Sequence, residues 1–425
     1  MSASPRFPQE VVRLILCHLP QQELATMCTL SKTLRVVVEA ALYRTAVVGP
    51  KALAGWCGAI LDSEPDSGRA RETRVLTLAM ADWLFTGSAK EQLQRALGAC
   101  VNLRQLHVVL QAGQYFITAK DDPQLWLLFA TLPCQLTHFT AVAPFMSQAI
   151  SVASTRFFAS PAAQTLTALS LPNCCPENTP DLSCLPNIVS LTMTAKGFEA
   201  ARPSEKGWEL QSVQLYLTFN DVARLRLLAP HAATLTSLAL VRDAGTPVPT
   251  TDMLVAIAQW VPGIQRLCIT ETGTIQPRRD EPVLHTALPL LPQLRELVLQ
   301  FHRAQATFFV DPDPPVPRRP RALPIRRSTR HTSAPPDAPG PSGPAPLRLT
   351  RPADRRKLGA LLMAAAPGLR RFELGADVFI GPVDPRLAQK WLTAVWARFP
   401  SEEESVQHWE VRGRVWDAQS SFSVS

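Results

Sequence analysis

Of the 425 residues, 46% are hydrophobic and 18% charged, which excludes a wholly disordered chain and suffices for two or three domains. No window approaches the ~18 uninterrupted apolar residues that cross a bilayer, and Met1–Arg6 has neither the cationic start nor the apolar stretch of a secretory signal, so a cytoplasmic or nuclear protein with no membrane partner is expected. The formal net charge of +8 is local: between Asp311 and Lys357 eleven Lys or Arg face four Asp or Glu, leaving the remainder near +1, which argues against a basic face or a nucleic-acid partner for the folded body.

Residues 7–48 read as three short helices. Pro8 suits a first helical turn, and Val11, Val12, Ile15, Leu16 and Leu19 recur at helical spacing before Pro20 ends the run. A second helix starts near Gln21 and carries Leu24, Met27 and Cys28. Ser31 can cap a third with Leu34, Val37, Val38, Ala41 and Leu42 on its apolar face. A unit this small buries a low fraction of its surface, so part of its apolar face is expected to meet something else.

The order Phe7-Pro8-x-Glu10, paired aliphatics, Leu19-Pro20, Leu24, Ser31-Lys32 and Leu42-Tyr43-Arg44 resembles an F-box, in the fungal form that closes on that last triplet. The resemblance implies a helical module that docks on a Skp-type adaptor and through it on a cullin-based ubiquitin ligase. Phe7, Pro8, Val11, Ile15, Leu16, Leu19 and Leu24 would be the adaptor-binding residues.

From Thr73 onward an apolar-x-x-apolar-x-apolar frame repeats, with "RVLTLAM" (Arg74–Met80) as its opening strand. First apolar positions fall at Leu103, Leu136, Leu166, Ile188, Leu210, Leu235, Ile264, Leu294 and Leu369, with spacings of 33, 30, 22, 22, 25, 29, 30 and 75. All but the last lie in or near the range of a leucine-rich repeat. A strand with such inward residues cannot bury them alone, but stacked copies share one core. "DDPQLWLLFATLP" and "TDMLVAIAQWVP" read as amphipathic helices on the outer side. The frames resemble the divergent repeat found behind F-boxes. Between the leucines, the residues expected on the concave face include Arg104, His107, Gln214, Arg266, Arg295 and Arg370.

The long final spacing is explained by Val310–Pro352, which holds thirteen of the 39 prolines and has a composition expected to be disordered. Within it Arg318, Arg319, Arg321, Arg326 and Arg327 resemble a two-cluster nuclear import signal. The array then resumes with the helix "RKLGALLMAAAPG" and a strand around Phe372. A last helix, "DPRLAQKWLTAVWARF", and the alternating "HWEVRGRVW" are expected to cap the end.

No hydrolase elbow, metalloprotease helix, phosphate loop or dinucleotide fingerprint occurs, and the eight histidines are dispersed. No enzyme, cofactor or small-molecule substrate is expected. The nine cysteines are scattered and odd in number; Cys174, Cys175 and Cys184 cluster loosely, but without a His at ligand spacing, so buried thiols rather than a metal site are expected.

The fold expected is thus an α/β solenoid: a three-helix F-box module (1–48), a connector (49–72), an irregular leucine-rich-repeat horseshoe (73–309) with a disordered insertion (310–352), and a last repeat with its cap (353–425). Its expected role is the substrate-recognition subunit of a Skp–cullin–F-box ubiquitin ligase, the array holding a protein substrate. The alternative is a non-ligase scaffold whose N-terminal helices cap the solenoid.

Overall fold

The computed structural model describes residues 9–16, 18–30, 32–62, 68–81, 88–111, 124–142, 148–174, 176–201, 207–218, 221–243, 248–272, 280–281, 284–301, 307–310, 345–348, 352–378, 390–398 and 406–414. The chain divides into two compact units, Met1–Tyr216 and Leu217–Ser425.

The first unit opens with helices α1 (Gln9–Leu16), α2 (Gln21–Leu30) and α3 (Lys32–Arg44). Leu16, Leu24 and Val38 form their buried centre, with Val12, Leu19, Met27, Cys28, Val37, Ala41 and Leu42 packed against it. α3 passes directly into strand β1 (Thr45–Val48), which pairs in parallel with β2 (Val75–Ala81). The sheet therefore begins at Thr45, 29 residues before "RVLTLAM", inside the segment that the sequence assigns to the helical module. The connector is also structured: α4 (Leu53–Leu61) buries Leu53, Trp56, Cys57 and Ile60, and α5 (Arg69–Glu72) leads into β2.

Strands β3 (Gln105–Gln111), β4 (His138–Val142), β5 (Ala168–Leu171), β6 (Ser190–Thr194) and β7 (Ser212–Leu217) follow in parallel register, in sequence order. Helices α6 (Ser88–Ala99), α7 (Gln124–Ala130), α8 (Gln148–Phe158) and α9 (Ala195–Ala200) return the chain between them. The register is locked at each strand's start, where one carbonyl accepts two amides from the next repeat: Arg74 from Arg104 and Gln105, Arg104 from Thr137 and His138, Thr137 from Thr167 and Ala168. Trp126, Phe129, Phe139, Phe157 and Phe158 fill the core beneath β4, with ring centroids 4.7–6.3 Å apart.

In the second unit, a 3-10 helix (Asp221–His231) precedes β8 (Ser237–Asp243), and α10 (Thr250–Trp260) precedes β9 (Arg266–Thr272). β11 (Glu296–Phe301) and β14 (Arg371–Val378) continue the parallel set, with α11 (Pro352–Ala365) before β14. A small separate sheet joins β10 (Asp280–Glu281), β12 (Thr307–Val310) and β13 (Ala345–Arg348).

The three apolar positions of each of the nine frames, from Leu103 to Leu374, are at most 2% exposed. Each such burial stabilises by roughly 1.5–3 kcal/mol relative to an exposed side chain, which makes the periodic frame the main source of the array's stability. Each unit is thus an α/β, solenoid-like stack of strands and return segments.

Two expectations need correction. The predicted helix over Asp384–Phe399 is instead, over its described part, strand β15 (Lys390–Arg398), antiparallel to both β14 and β16 (Val406–Arg414). Trp391, Thr393, Val395 and Trp396 favour extended backbone, and the free edge of β14 supplies the ladder that a helix there would leave open. The predicted disordered insertion is closed at its base, because Thr307–Val310 pairs antiparallel with Ala345–Arg348 and α11 already begins at Pro352. Residues 311–344, with the five arginines of the import-like clusters, lie outside the described residues.

Candidate protein-docking surfaces

Two surfaces of the first unit present side chains that the fold does not consume. The first is on α1. Its inward residues, Val12 and Leu16, build the module's core with Leu19 of the following turn, while Val11, Leu14 and Ile15 are 38%, 64% and 54% exposed. Of the residues proposed to meet an adaptor, Val11 and Ile15 face out, Leu19 is half-buried, and Leu16 and Leu24 are buried. The last two serve the internal core, Leu16 from α1 and Leu24 from α2 being buried together with Val38 of α3. Phe7 and Pro8 lie outside the described residues. Leu14 was missed because the sequence pattern was read as a single apolar face, whereas the helix carries two. Leu30 and Val36 add exposed aliphatic surface on α2 and α3.

An ion network ties this module to the array. Glu39 accepts from Arg35 Nε at 2.7 Å and from Arg69 Nη2 at 3.2 Å, and Arg69 lies 5.5 Å from the centroid of the Tyr43 ring and donates to the Ala59 carbonyl at 3.3 Å. Burial pushes the Glu39 carboxyl up, but hydrogen bonds from Arg35 and Arg69 outweigh it and hold the group below the usual carboxylate range. Gln21 donates from Nε2 to the Thr45 carbonyl, so the module also closes onto β1, the outermost strand of this unit's sheet.

The second surface is the side of the sheet turned away from the core. Along β4 to β7 burial alternates strictly between buried and half-buried residues, so only one face is covered, unlike a parallel sheet sandwiched between helix layers. The half-buried positions from β2 to β7 include Thr77, His107, His138, Thr140, Ser190 and Gln214, and none among the described ones is Lys, Arg, Asp or Glu. Burial holds the His107 and His138 imidazoles below their ordinary value of 6.5, and His138 adds to the effect on His107. Both are neutral at pH 7, so this face carries hydrogen-bonding groups without charge. Gln214 Nε2 donates to the Tyr216 hydroxyl at 3.3 Å.

The predicted face does not extend evenly into the second unit. There Ala239, Cys268, Thr270, Gln300 and Glu373, which alternate with the frame residues, are buried as well. Exposure is concentrated at the strand starts: Arg266, paired with Glu296 at 3.2 Å, and Arg295, Arg370 and Arg371. The six residues proposed for substrate contact thus divide into Arg104, His107 and Gln214 in one unit and Arg266, Arg295 and Arg370 in the other.

Among the described residues no group of three or more His, Cys, Asp or Glu is arranged to hold a metal ion, and no helix is long and apolar enough to cross a membrane. Burial pushes the thiols of Cys57, Cys134 and Cys268 up to about 11 and that of Cys100 up to about 12, so these cysteines are neutral, unreactive parts of the core.

Compared with known proteins, the chain finds no match among curated sequences. Its residues 4–40, the segment that carries the exposed face of α1, match the F-box domain.

Proposed function

We propose that this chain is the substrate-receptor subunit of a Skp–cullin–F-box ubiquitin ligase, working in the cytoplasm or nucleus. F-box domains typically bind Skp-type adaptors, and the observation that carries the reading is the aliphatic strip Val11, Leu14 and Ile15 on the matched segment. A folded module with its own core has no internal use for these side chains, and a partner that covers them recovers their transfer free energy. The strand-and-return array, which fits a divergent leucine-rich repeat, would hold a protein substrate on its uncharged open face. The chain would supply no catalytic group; a bound adaptor and cullin would bring the charged ubiquitin-carrying enzyme near the substrate, and proximity would do the rest.

A second reading has its own support. Gln21 donates to β1 and the Arg69–Glu39 network joins the helices to α5, contacts that a cap on a scaffold would also need. Capture of purified Skp-type adaptor by the full chain separates the two. Replacing Leu14 and Ile15 by Asp removes two aliphatic contacts worth roughly 1.5–3 kcal/mol each and should weaken capture at least about a hundredfold, with the circular dichroism spectrum unchanged. If the unaltered chain captures no adaptor, the scaffold reading replaces the ligase.

A further inference from the structure

Although the folded body is nearly neutral in sum, its charge is not evenly spread. In the first three repeats the residue that opens the strand register is an arginine: Arg74 N donates to the Arg44 carbonyl at 3.1 Å, Arg104 N to the Arg74 carbonyl at 2.8 Å, and Thr137 N to the Arg104 carbonyl at 2.8 Å. Successive rungs of a sheet are about 4.8 Å apart, so Arg44, Arg74 and Arg104 form a column roughly 10 Å long. All three are exposed, and in the next two repeats the column is continued by threonines, Thr137 and Thr167. Among the described residues neither Arg44 nor Arg74 has an ion-pair partner. Arg104 gives one N–H to the Gln135 carbonyl at 3.0 Å, which orients its side chain and leaves most of its five donors available. Like charges at rung spacing repel one another, and an anionic partner relieves that cost.

Beside the column lies a cleft of about 910 Å³. Its lining includes Arg44, Arg74 and Glu72 together with the apolar Leu16, Leu19, Leu24 and Val37. Its volume is within the range that accommodates a drug-sized group or one or two large side chains.

We propose that the Arg44–Arg74–Arg104 column and this cleft together form a docking site for an acidic peptide segment carrying a bulky apolar residue. Carboxylates of the segment accept bidentate hydrogen bonds from the guanidinium groups, and the apolar side chain enters the cleft between the helical module and β1. Two features favour a peptide over nucleic acid. No aromatic ring is among the residues that line the cleft to stack a base, and the column spans only three rungs. The proposal deepens the receptor reading, and rests on it only for the source of the peptide, which would be the protein substrate.

The test is fluorescence anisotropy with the full chain and a short fluorescein-labelled peptide of repeated Glu-Glu-Leu. Binding is expected, weaker in higher salt. Arg44→Glu with Arg74→Glu should raise Kd at least about tenfold without lowering the melting temperature, while Arg74→Lys retains part of the affinity. Equal binding of a Gln-Gln-Leu peptide, an unchanged Kd in the charge-reversed variant, or tighter binding of oligouridylate than of the peptide would each overturn the proposal. Adaptor capture is measured in parallel with the Leu14→Asp, Ile15→Asp variant. If the peptide binds but no adaptor is captured, the ligase reading falls and the site stands. If adaptor is captured but the peptide does not bind, the site alone is lost.

Discussion

Arg242 is fully buried on the core side of β8, two residues beyond Leu240. Its Nη2 donates to Glu271 Oε1 at 2.6 Å and to Thr250 Oγ1 at 2.9 Å, and its Nη1 donates to the Val248 carbonyl at 3.1 Å. Glu271 occupies the equivalent place on β9, so neighbouring repeats exchange an ion pair where the frame continues with apolar groups such as Leu217 and Phe301 in other repeats. Desolvation makes such a pair a weak net stabiliser, yet removing one partner strands the other charge in the core. Arg242→Met alone should therefore cost about 3–5 kcal/mol, whereas Arg242→Met combined with Glu271→Leu should lie close to the unaltered protein. Urea denaturation of the two single variants and the double variant checks this; a double variant as unstable as the two singles summed would mean that the two charges are not coupled. A conformational constraint of another kind sits at Gly197, where a Cβ would stand 2.9 Å from Thr194 Oγ1 and 3.1 Å from the Cys174 carbonyl. Thr194 caps α9 through Gly197 N at 2.9 Å while donating to that same carbonyl, so only glycine lets the helix start this close to the previous repeat.

At the scale of elements, the frame was legible because each of its apolar positions answers to one requirement, burial beneath a stacked neighbour. Leu103, Phe139, Met193 and Leu374 differ in shape but all meet it, and the strands followed from them. β1 escaped because "TAVV" is four residues long and follows α3 without a turn, so no local signal separates strand from helix. β15 was read as a helix because its apolar residues suit either period, and long-range pairing with β14 and β16 decided the outcome. The exposed strip of α1 was half legible: periodicity located the helix but could not say which of its two apolar sides the fold would use. The pairing of β15 carries its own consequence. Thr393 is registered between Gly375 and Val411, and a proline there removes a ladder donor from a strand paired on both edges. Thr393→Pro should uncouple β15 and leave β14 as an open edge, which recruits other chains. Light scattering after size exclusion should then find dimers or larger species; a monomeric, fully folded variant would argue that β14 needs no such cover.

At the scale of the whole molecule, the column of three arginines illustrates what a charge total hides: the sum over the folded body is near +1, yet three consecutive rungs of one sheet are cationic. The reverse holds for the insertion, which contributes much of the net charge and little to the described architecture. Val310 and Ala345 are register partners in the β12–β13 ladder, and opposed Cα atoms in such a pair are about 4.5–5.5 Å apart. That gap is closed by an ordinary short hairpin turn. Residues 311–344 include six arginines and three aspartates, so replacing them with a Gly-Ser turn lowers the formal net charge from +8 to +5 while leaving both strands, α11 and the frame at Leu369 in place. The melting temperature of the shortened chain should stay within about 2 °C of the original, and capture of adaptor by α1 should be unchanged. A large fall in melting temperature would mean that the insertion packs on the array and takes part in its stability. An unchanged melting temperature with loss of nuclear accumulation in cells would instead assign the arginine clusters to transport, a role that depends on sequence rather than on the fold that displays it.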